Sequence, residues 1–308
     1  MASLKNRLVT GVLLFMFVLI AKARAEEAFP RVSVGPQYAT THVYVASPDL
    51  DRFIASFIAT FGGTKSKQGA LQVTPTPSET IWQAALTPVG LISVFAFKTP
   101  IPYPFGAERT GYLVTNLDEA VTSAKAAGAD VLVSSFQDPL GRDAIVQWPG
   151  GVNMQLYWHT KPPSNAPLTT VPENRVYVSA LRADIFIRDF ISFSHGTIVS
   201  DDGIAPGIEI GKAGTTYRRI RVDSGFGKMV VLVTDGQLPW PYGRELTGYE
   251  VRDLTTTLSK ATGSGATIEV PPFSSGDRRS AMIRFPGGYI AEVHSTSAAN
   301  VHSAPQDR

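Results

Sequence analysis

The segment TGYLVTNL (Thr110–Leu117) returns as TGYEVRDL (Thr247–Leu254), 137 residues further along the chain. The regions before these segments also match. HVYVASPDLDRFIASFIATFGG, which starts at His42, aligns with RVYVSALRADIFIRDFISFSHG, which starts at Arg175. An internal repeat shows how many folding units a chain contains. Similarity over this length predicts two copies of one domain.

Each copy splits again into two halves with the same order of predicted elements. In the first half of domain 1, HVYVAS is a β-type run, and Phe53, Ile54, Phe57 and Ile58 follow at helical spacing. Three strand candidates, GALQVTP, ETIWQAAL and LISVFAF, complete this half. The pattern predicts an α+β fold made of four strand–helix–strand–strand–strand (βαβββ) units.

The two copies divide the chain into five segments. We assign residues 1–25 to a signal peptide, 37–160 to domain 1, 161–171 to a linker, 172–298 to domain 2 and 299–308 to a disordered tail. The linker is rich in Pro, Ser and Thr, a composition typical of connections between domains. The tail is polar and terminal, where disorder is common.

The first 25 residues have the features of a secretory signal. A short positive start precedes an apolar run from Leu8 to Ile20, and Ala23-Arg24-Ala25 fits the small-x-small cleavage rule. The run is short for a membrane span. We therefore predict export to a bacterial periplasm or beyond it, with an uncleaved anchor as the alternative.

Composition excludes several classes of function. The 308 residues include no cysteine, which excludes a disulfide scaffold, a zinc ribbon and a thiolate nucleophile. A hydrophobic fraction of 44% is too high for a disordered chain. A formal net charge of +2 gives no electrostatic reason to expect nucleic acid as a partner.

Four βαβββ units in two pairs, a DLDR helix start and a closing strand of the form PGG-x-x-x-[EQ] resemble the vicinal oxygen chelate (VOC) superfamily. This superfamily includes glyoxalase I, extradiol dioxygenases, fosfomycin-resistance proteins and bleomycin-binding proteins. The resemblance covers nearly all of the chain after the signal peptide. It implies two tandem, barrel-like, glyoxalase-like domains with helices outside. It implies little about activity, because the superfamily hosts several chemistries and some pure binders.

In this superfamily, side chains on the first and last strands point into the concavity and hold a metal where one is present. The resemblance carries these positions onto the following residues: His42 and Arg175 on the first strands of units one and three, Arg109 or Glu108 and Leu246 or Glu245 in units two and four, and Gln155 and Glu292 on last strands. Strand alternation adds Tyr44, on the face of His42, and His294, on the face of Glu292.

A catalytic divalent metal needs about three protein ligands and an open position. Domain 1 offers His42, Gln155 and Glu108, of which the amide is a weak ligand. In domain 2, Arg175 places a fixed positive charge where a ligand is expected. We therefore predict that the protein needs no cofactor. The alternative is that it binds a divalent metal (Zn²⁺, Ni²⁺, Mn²⁺ or Fe²⁺). Pairing of units across the domains, which would bring His42 beside Glu292, is a further alternative.

Domain 2 is rich in arginine on its predicted strands. Arg219, Arg221 and Arg284 join Arg175 there. If two or more guanidinium groups converge in the cavity, they would grip a carboxylate or phosphate through paired hydrogen bonds. The alternative is that these arginines face solvent or neutralise structural acids.

Together with the resemblance, which implies a protein of the glyoxalase, bleomycin-resistance and dioxygenase type, these residues predict an exported protein that binds a small polar or anionic molecule in a curved-sheet cavity. It is expected to act without a metal, as a monomer or homodimer, with no nucleic acid partner and no membrane attachment after signal cleavage. One alternative is a metal-dependent lyase, isomerase or dioxygenase centred on His42. Another is a scaffold whose cavities are filled by side chains.

Overall fold

The chain folds into two curled mixed sheets, one for each copy of the repeat. The computed structural model describes residues 31–161 and 163–296. The predicted signal peptide and the predicted tail lie outside these residues. None of the helices in the described ranges is long and apolar enough to cross a membrane.

The sheet of domain 1 is assembled from the first two units. Its elements are β1 (Thr40–Tyr44), α1 (Leu50–Phe61), β2 (Thr64–Lys65), β3 (Gly69–Leu71), β4 (Thr80–Thr87), β5 (Gly90–Phe97), β6 (Thr110–Leu113), α2 (Leu117–Ala126), β7 (Asp130–Gln137), β8 (Gly141–Trp148) and β9 (Val152–His159). The strands lie in the order β2-β4-β5-β1-β6-β9-β8-β7, and β3 also pairs with β4. The first strand of each unit runs parallel to its last strand, while β1 and β6 pair antiparallel and join the units.

Domain 2 repeats this arrangement. Its elements are β10 (Glu173–Val178), α3 (Ala180–Ser194), β11 (Thr197–Pro206), β12 (Thr216–Ser224), β13 (Gly227–Val233), β14 (Leu246–Glu250), α4 (Leu254–Gly263), β15 (Thr267–Ser275), β16 (Arg278–Arg284) and β17 (Ile290–Thr296). The strand order is β11-β12-β13-β10-β14-β17-β16-β15. The predicted α+β fold of four βαβββ units is therefore confirmed. In the first unit, the strand predicted from GALQVTP is shorter and is preceded by β2.

Units pair within each domain and not across the domains. The backbone ladder between β1 and β6 makes one sheet of units one and two, and the ladder between β10 and β14 does the same for units three and four. His42 and Glu292 consequently lie on different sheets. The alternative in which units pair across the domains is therefore wrong.

Two helices begin inside the repeated segment that reveals the duplication. The side chain of Asn116 accepts a hydrogen bond from the N–H of Glu119 at 3.2 Å, and Asp253 accepts one from the N–H of Thr256 at 3.0 Å. Each oxygen satisfies an N–H group that the first turn of a helix leaves free. The segment thus encodes the end of a strand, a helix cap and the helix start in both domains.

Helices of both domains contribute to an apolar core between the two sheets. The ring of Phe57 in α1 lies 5.7 Å from that of Tyr249 and 5.1 Å from that of Phe285, both in domain 2. A second contact joins Trp148 of β8 to Phe190 of α3, with ring centroids 5.7 Å apart. The helices cover the convex face of each sheet, so the polar residues of the concave faces are free to form sites.

Candidate functional site

The concave face of domain 1 lines a cavity of about 200 Å³. His42 and Tyr44 of β1 and Gln155 and Tyr157 of β9 reach it, because alternate residues of a strand point to the same face. The rest of its lining is largely apolar and includes Leu71, Val73, Trp82, Ala84, Leu86, Leu91, Ile92, Phe95, Phe105 and Leu140. The cavity therefore has apolar walls and a small polar floor.

His42 is held by hydrogen bonds on both of its ring nitrogens. Its Nδ1 lies 3.4 Å from Glu108 Oε1, and its Nε2 lies 3.3 Å from Thr40 Oγ1. Glu108 is fully buried, and the same carboxylate oxygen accepts a hydrogen bond from the Tyr44 hydroxyl. The guanidinium of Arg109 covers the Tyr44 ring, with 5.6 Å from Cζ to the centroid. A buried carboxylate thus orients an imidazole that reaches the cavity.

Gly111 gives the imidazole of His42 its room. A Cβ atom at Gly111 would lie 2.5 Å from His42 Nε2. Gly248 is the same residue of the second TGY segment, and a Cβ atom there would lie 2.8 Å from Glu292 Oε2. No side chain fits at either glycine without moving the residue beside it. The repeat that decides the fold therefore also marks the floor of each concavity.

Asp143 of β8 lines the same cavity, although the sequence reasoning did not single it out. Burial, together with the neighbouring charge of Asp138, raises the pKa of Asp143 well above its usual value, against a hydrogen bond from Gln155 that lowers it. These effects favour a protonated carboxyl group that can donate a hydrogen bond. Alternation along β8 could have revealed it, because Asp143 shares a face with Ile145, whose partner across the sheet is Gln155.

The corresponding positions of domain 2 form a buried cluster of charges, which we call the Arg278 cluster: Glu173, Arg175, Arg278, Glu292 and His294. Arg278 donates to both oxygens of Glu173 (3.0 and 2.8 Å) and to both oxygens of Glu292 (3.1 and 3.0 Å). Its Nη2 also lies 2.8 Å from His294 Nδ1. The sequence reasoning missed Arg278 and Glu173, although Glu173 stands two residues before Arg175 on one strand face.

The carboxyl groups of this cluster are ionised because Arg278 lies beside them. Burial alone would raise the pKa of Glu173, but the attraction of Arg278 more than offsets it and lowers that pKa to about 2. The same balance holds the pKa of Glu292 well below its usual range. Arg175 is buried here as well, with its Nη1 3.4 Å from Glu173. Fixed cations and structural acids thus neutralise one another in this concavity.

The other arginines predicted to bind an anion lie in different surroundings. Arg219 forms an ion pair with the buried Glu209. Arg284 is exposed, and its Nε donates to Glu269 at 2.6 Å. Arg221 lies near the cluster, where burial and the charge of Arg219 lower its pKa. A role of these side chains in binding an anion stays a prediction.

Glu245 hydrogen-bonds across the two domains, where its Oε1 accepts from Thr110 Oγ1 at 3.2 Å. Burial raises the pKa of Glu245 from 4.5 to about 7, although hydrogen bonds from Asn174 and Thr110 act the other way. The folded chain therefore holds this proton more tightly than the unfolded chain. The resulting stability is complete below pH 4.5 and is lost as the pH rises through 7.

We expect Glu245→Gln to raise the free energy of unfolding by about 1–3 kcal/mol at pH 8, because the amide carries no charge to bury. At pH 4.5 the variant and the wild type should be equally stable. Urea unfolding at the two pH values measures both differences. The exposed Glu119→Gln is the control and should change little at either pH, and an equal gain for Glu245→Gln at both would contradict the prediction.

One set of three carboxylate or imidazole groups in the described ranges brings its ligand atoms within 4.8 Å of one another: Glu173, Glu292 and His294. Arg278 already contacts all three groups. His42 and Glu108 are adjacent in domain 1, but the described residues offer no third group of this kind at that distance. Five of the predicted site residues thus meet in domain 1: His42, Tyr44, Glu108, Arg109 and Gln155. Three meet in domain 2: Arg175, Glu292 and His294. Within the described ranges, neither domain presents an open set of three carboxylate or imidazole groups.

Comparison with known proteins supports the fold. No protein-family model matches the chain, and no curated protein sequence matches it. Among solved structures, a mutant of 4-hydroxymandelate synthase from Streptomyces coelicolor is similar at 12% identity with a TM-score of 0.57, over 87% of this chain and 93% of that one.

Two further structures agree with this match. The Mn(II)-bound glyoxalase from Novosphingobium aromaticivorans has 13% identity and a TM-score of 0.52, over 86% of this chain and 82% of its own. Homoprotocatechuate 2,3-dioxygenase from Arthrobacter globiformis has 16% identity and a TM-score of 0.52, over 87% and 82%. These likenesses confirm the expected fold, and at such identities they do not extend to activity.

Proposed function

We propose that this chain, which has the fold of the vicinal oxygen chelate superfamily, binds a small, uncharged and largely apolar molecule in the cavity of domain 1 without a divalent metal. The observation that carries the proposal is the contrast between the two concavities. Domain 1 keeps a cavity of about 200 Å³, whereas the equivalent positions of domain 2 are paired in the Arg278 cluster. We also propose that the chain acts after export, since residues 1–25 read as a signal peptide.

The charges around the cavity disfavour an anion. None of the described residues that line it is lysine or arginine, and the lining includes the acidic residue Asp138. Burial lowers the pKa of His159, another lining residue, which favours its neutral form. An anion here would have no fixed cation to pair with, and an unpaired buried charge is costly. We therefore replace the polar or anionic ligand expected from the sequence with a neutral one.

The size and lining of the cavity suit a single ring. An apolar cavity of about 150 Å³ accommodates benzene, so this cavity has room for a ring with a small substituent. Trp82, Phe95 and Phe105 supply aromatic walls, and aromatic rings attract one another in stacked or edge-on arrangements. Asp143 and Gln155 at the floor can bond a carbonyl or hydroxyl group. The ligand class is then a small aromatic ketone, aldehyde or phenol.

A metal-dependent lyase, isomerase or dioxygenase centred on His42 is the alternative, and the Mn(II)-bound glyoxalase among the similar structures gives a reason to test it. The donor set argues against it. A catalytic metal takes about three protein ligands, and the described residues offer no further carboxylate or imidazole beside His42 and Glu108. The third predicted ligand, Gln155, has an amide side chain and is a weak ligand. The oxygen of Glu108 that faces His42 already accepts from Tyr44. The described residues of domain 1 therefore do not fit a three-ligand metal.

A metal-free proton transfer is the second candidate function. It is favoured by the contact between His42 and the fully buried Glu108. A carboxylate behind an imidazole fixes the orientation of the ring, which is the arrangement found around a general base. His42 would then take a proton from the molecule bound in the cavity.

Binding of matched neutral and anionic rings tests the proposal. We expect acetophenone to raise the melting temperature of the mature chain and to bind at least about tenfold more tightly than benzoate in calorimetric titrations at pH 7. Chelator treatment should not change either value. Ala84→Arg should abolish binding, because it places in the cavity the residue that domain 2 has at this position, Arg221. The exposed Ala70→Arg on β3 is the control and should bind as the wild type does.

Three results would contradict the proposal. Tighter binding of benzoate or phosphate that is lost in Arg175→Ala would favour the anion site of domain 2. Stoichiometric Zn²⁺, Ni²⁺, Mn²⁺ or Fe²⁺ after dialysis, lost in His42→Ala, would favour the metal-dependent enzyme. Undiminished acetophenone binding by Ala84→Arg would place the ligand elsewhere.

A further inference from the structure

The three groups around Arg278 have the chemistry and the spacing of metal ligands. Glu173, Glu292 and His294 bring their ligand atoms within 4.8 Å of one another. Two carboxylates and an imidazole are a donor set that divalent Mn, Fe and Zn accept. All three residues are largely withdrawn from solvent, with 9%, 1% and 2% of their surfaces exposed.

A single nitrogen atom of Arg278 occupies the space that these groups share. Its Nη2 lies 2.8 Å from Glu173 Oε2, 3.0 Å from Glu292 Oε2 and 2.8 Å from His294 Nδ1. A metal ion at this point would need to lie about 2.0–2.2 Å from the same atoms. The guanidinium and an ion therefore exclude one another. Because the guanidinium is always charged, it neutralises the carboxylates at any ordinary pH.

The repeat shows that Arg278 and the residues that contact it are all replaced by other residues in domain 1. Arg278 corresponds to Gly141 of domain 1, and Glu292 and His294 correspond to Gln155 and Tyr157. By the match of first strands, Glu173 corresponds to Thr40. Domain 1 thus has a neutral residue at each of these positions. The two acids, the histidine and the guanidinium therefore occur together in domain 2, and domain 1 has none of them at the corresponding positions.

We propose that Arg278 is the resident cation of domain 2, a guanidinium group that replaces a divalent metal ion between Glu173, Glu292 and His294. Removing it while keeping the chain folded opens a metal site. The inference concerns domain 2 and does not depend on what the cavity of domain 1 binds.

Metal uptake by variants of the full mature chain tests this proposal. We expect Arg278→Gln to take up one Mn²⁺ per chain, measured by the loss of the free-ion signal in electron paramagnetic resonance, at least about tenfold more tightly than the wild type. Adding His294→Ala should remove that gain. Arg278→Lys keeps a cation and should bind no better than the wild type. Arg284→Gln, an exposed arginine on the same strand, is the matched control.

Metal uptake by the wild type is a test that does not require any variant to fold. Stoichiometric Mn²⁺ or Zn²⁺ uptake by the wild type, lost in His294→Ala, would overturn the proposal, because the guanidinium would then not exclude the ion. A folded Arg278→Gln that binds no more tightly than the wild type would overturn it as well. If Arg278→Gln is unfolded without metal, Mn²⁺ should restore its circular dichroism, and a variant that stays unfolded with Mn²⁺ counts against the proposal.

Discussion

Replacing Phe57 by alanine should lower the free energy of unfolding by about 3–5 kcal/mol. Phe57 is fully buried in α1, and its ring contacts those of Phe53 and Phe61 in its own helix (5.6 and 4.7 Å between centroids). It also contacts Tyr249 and Phe285 of domain 2. The cavity left by truncation would be lined by rings that the backbone of two domains holds in place, so little of it can collapse.

The same substitution tests whether the two domains form one cooperative unit. Since Phe57 belongs to domain 1 and much of its packing belongs to domain 2, we expect one unfolding transition that moves as a whole, in urea and by calorimetry. Leu181→Ala is the control, because Leu181 is a helical leucine with 80% of its surface exposed, and it should change stability by less than about 0.5 kcal/mol. Two separate transitions, of which only one shifts in Phe57→Ala, would contradict this expectation.

The sharing of helices between the domains could not be predicted from periodicity. The spacing of Phe53 and Phe57 shows that α1 has an apolar face, and it does not show which surface covers that face. Three of the five aromatic rings that contact Phe57 are more than 190 residues away along the chain, on or beside strands whose own apolar residues could equally have packed on a helix of domain 2. The repeat predicts the units, because each unit repeats its own local pattern, and only the three-dimensional arrangement decides how they cover one another.

The sequence likewise predicts only some of the residues of the candidate site. Alternation on β1 and β9 predicts that His42 and Gln155 reach the concavity of domain 1, and both do. It does not reveal Asp143 or Arg278, which lie on β8 and β16, because the resemblance points to first and last strands and the curl of the sheet brings the neighbouring strand close. The pairing of arginines with acids is also beyond the sequence, since Arg278 and Glu173 are joined by three-dimensional proximity across 105 residues.

Replacing Arg278 by methionine should lower the free energy of unfolding by about 3–5 kcal/mol at pH 7, because removing one partner of a buried ion pair leaves the charge of the other uncompensated. Two carboxylates lose their main cation in this variant, and Arg175 alone, at 3.4 Å from Glu173, cannot compensate both. Arg284→Met is the matched control on the same strand. Arg284 is exposed and bonded to Glu269, so its loss should cost less than about 1 kcal/mol.

The loss of stability caused by Arg278→Met should depend on pH. The pKa values of Glu173 and Glu292 decide whether this loss grows or shrinks as the pH rises. In the wild type the pKa of Glu173 is lowered from 4.5 to about 2, so the stability it contributes is present above pH 4.5 and is lost as the pH falls towards 2. Without the guanidinium, burial raises the pKa of both carboxyl groups, and the variant gains stability as they are protonated on acidification. The difference between wild type and Arg278→Met in urea unfolding should therefore be larger at pH 7 than at pH 4. A loss that is the same at both pH values, or one no larger than that of Arg284→Met, would show that the guanidinium does not hold these acids in their ionised state.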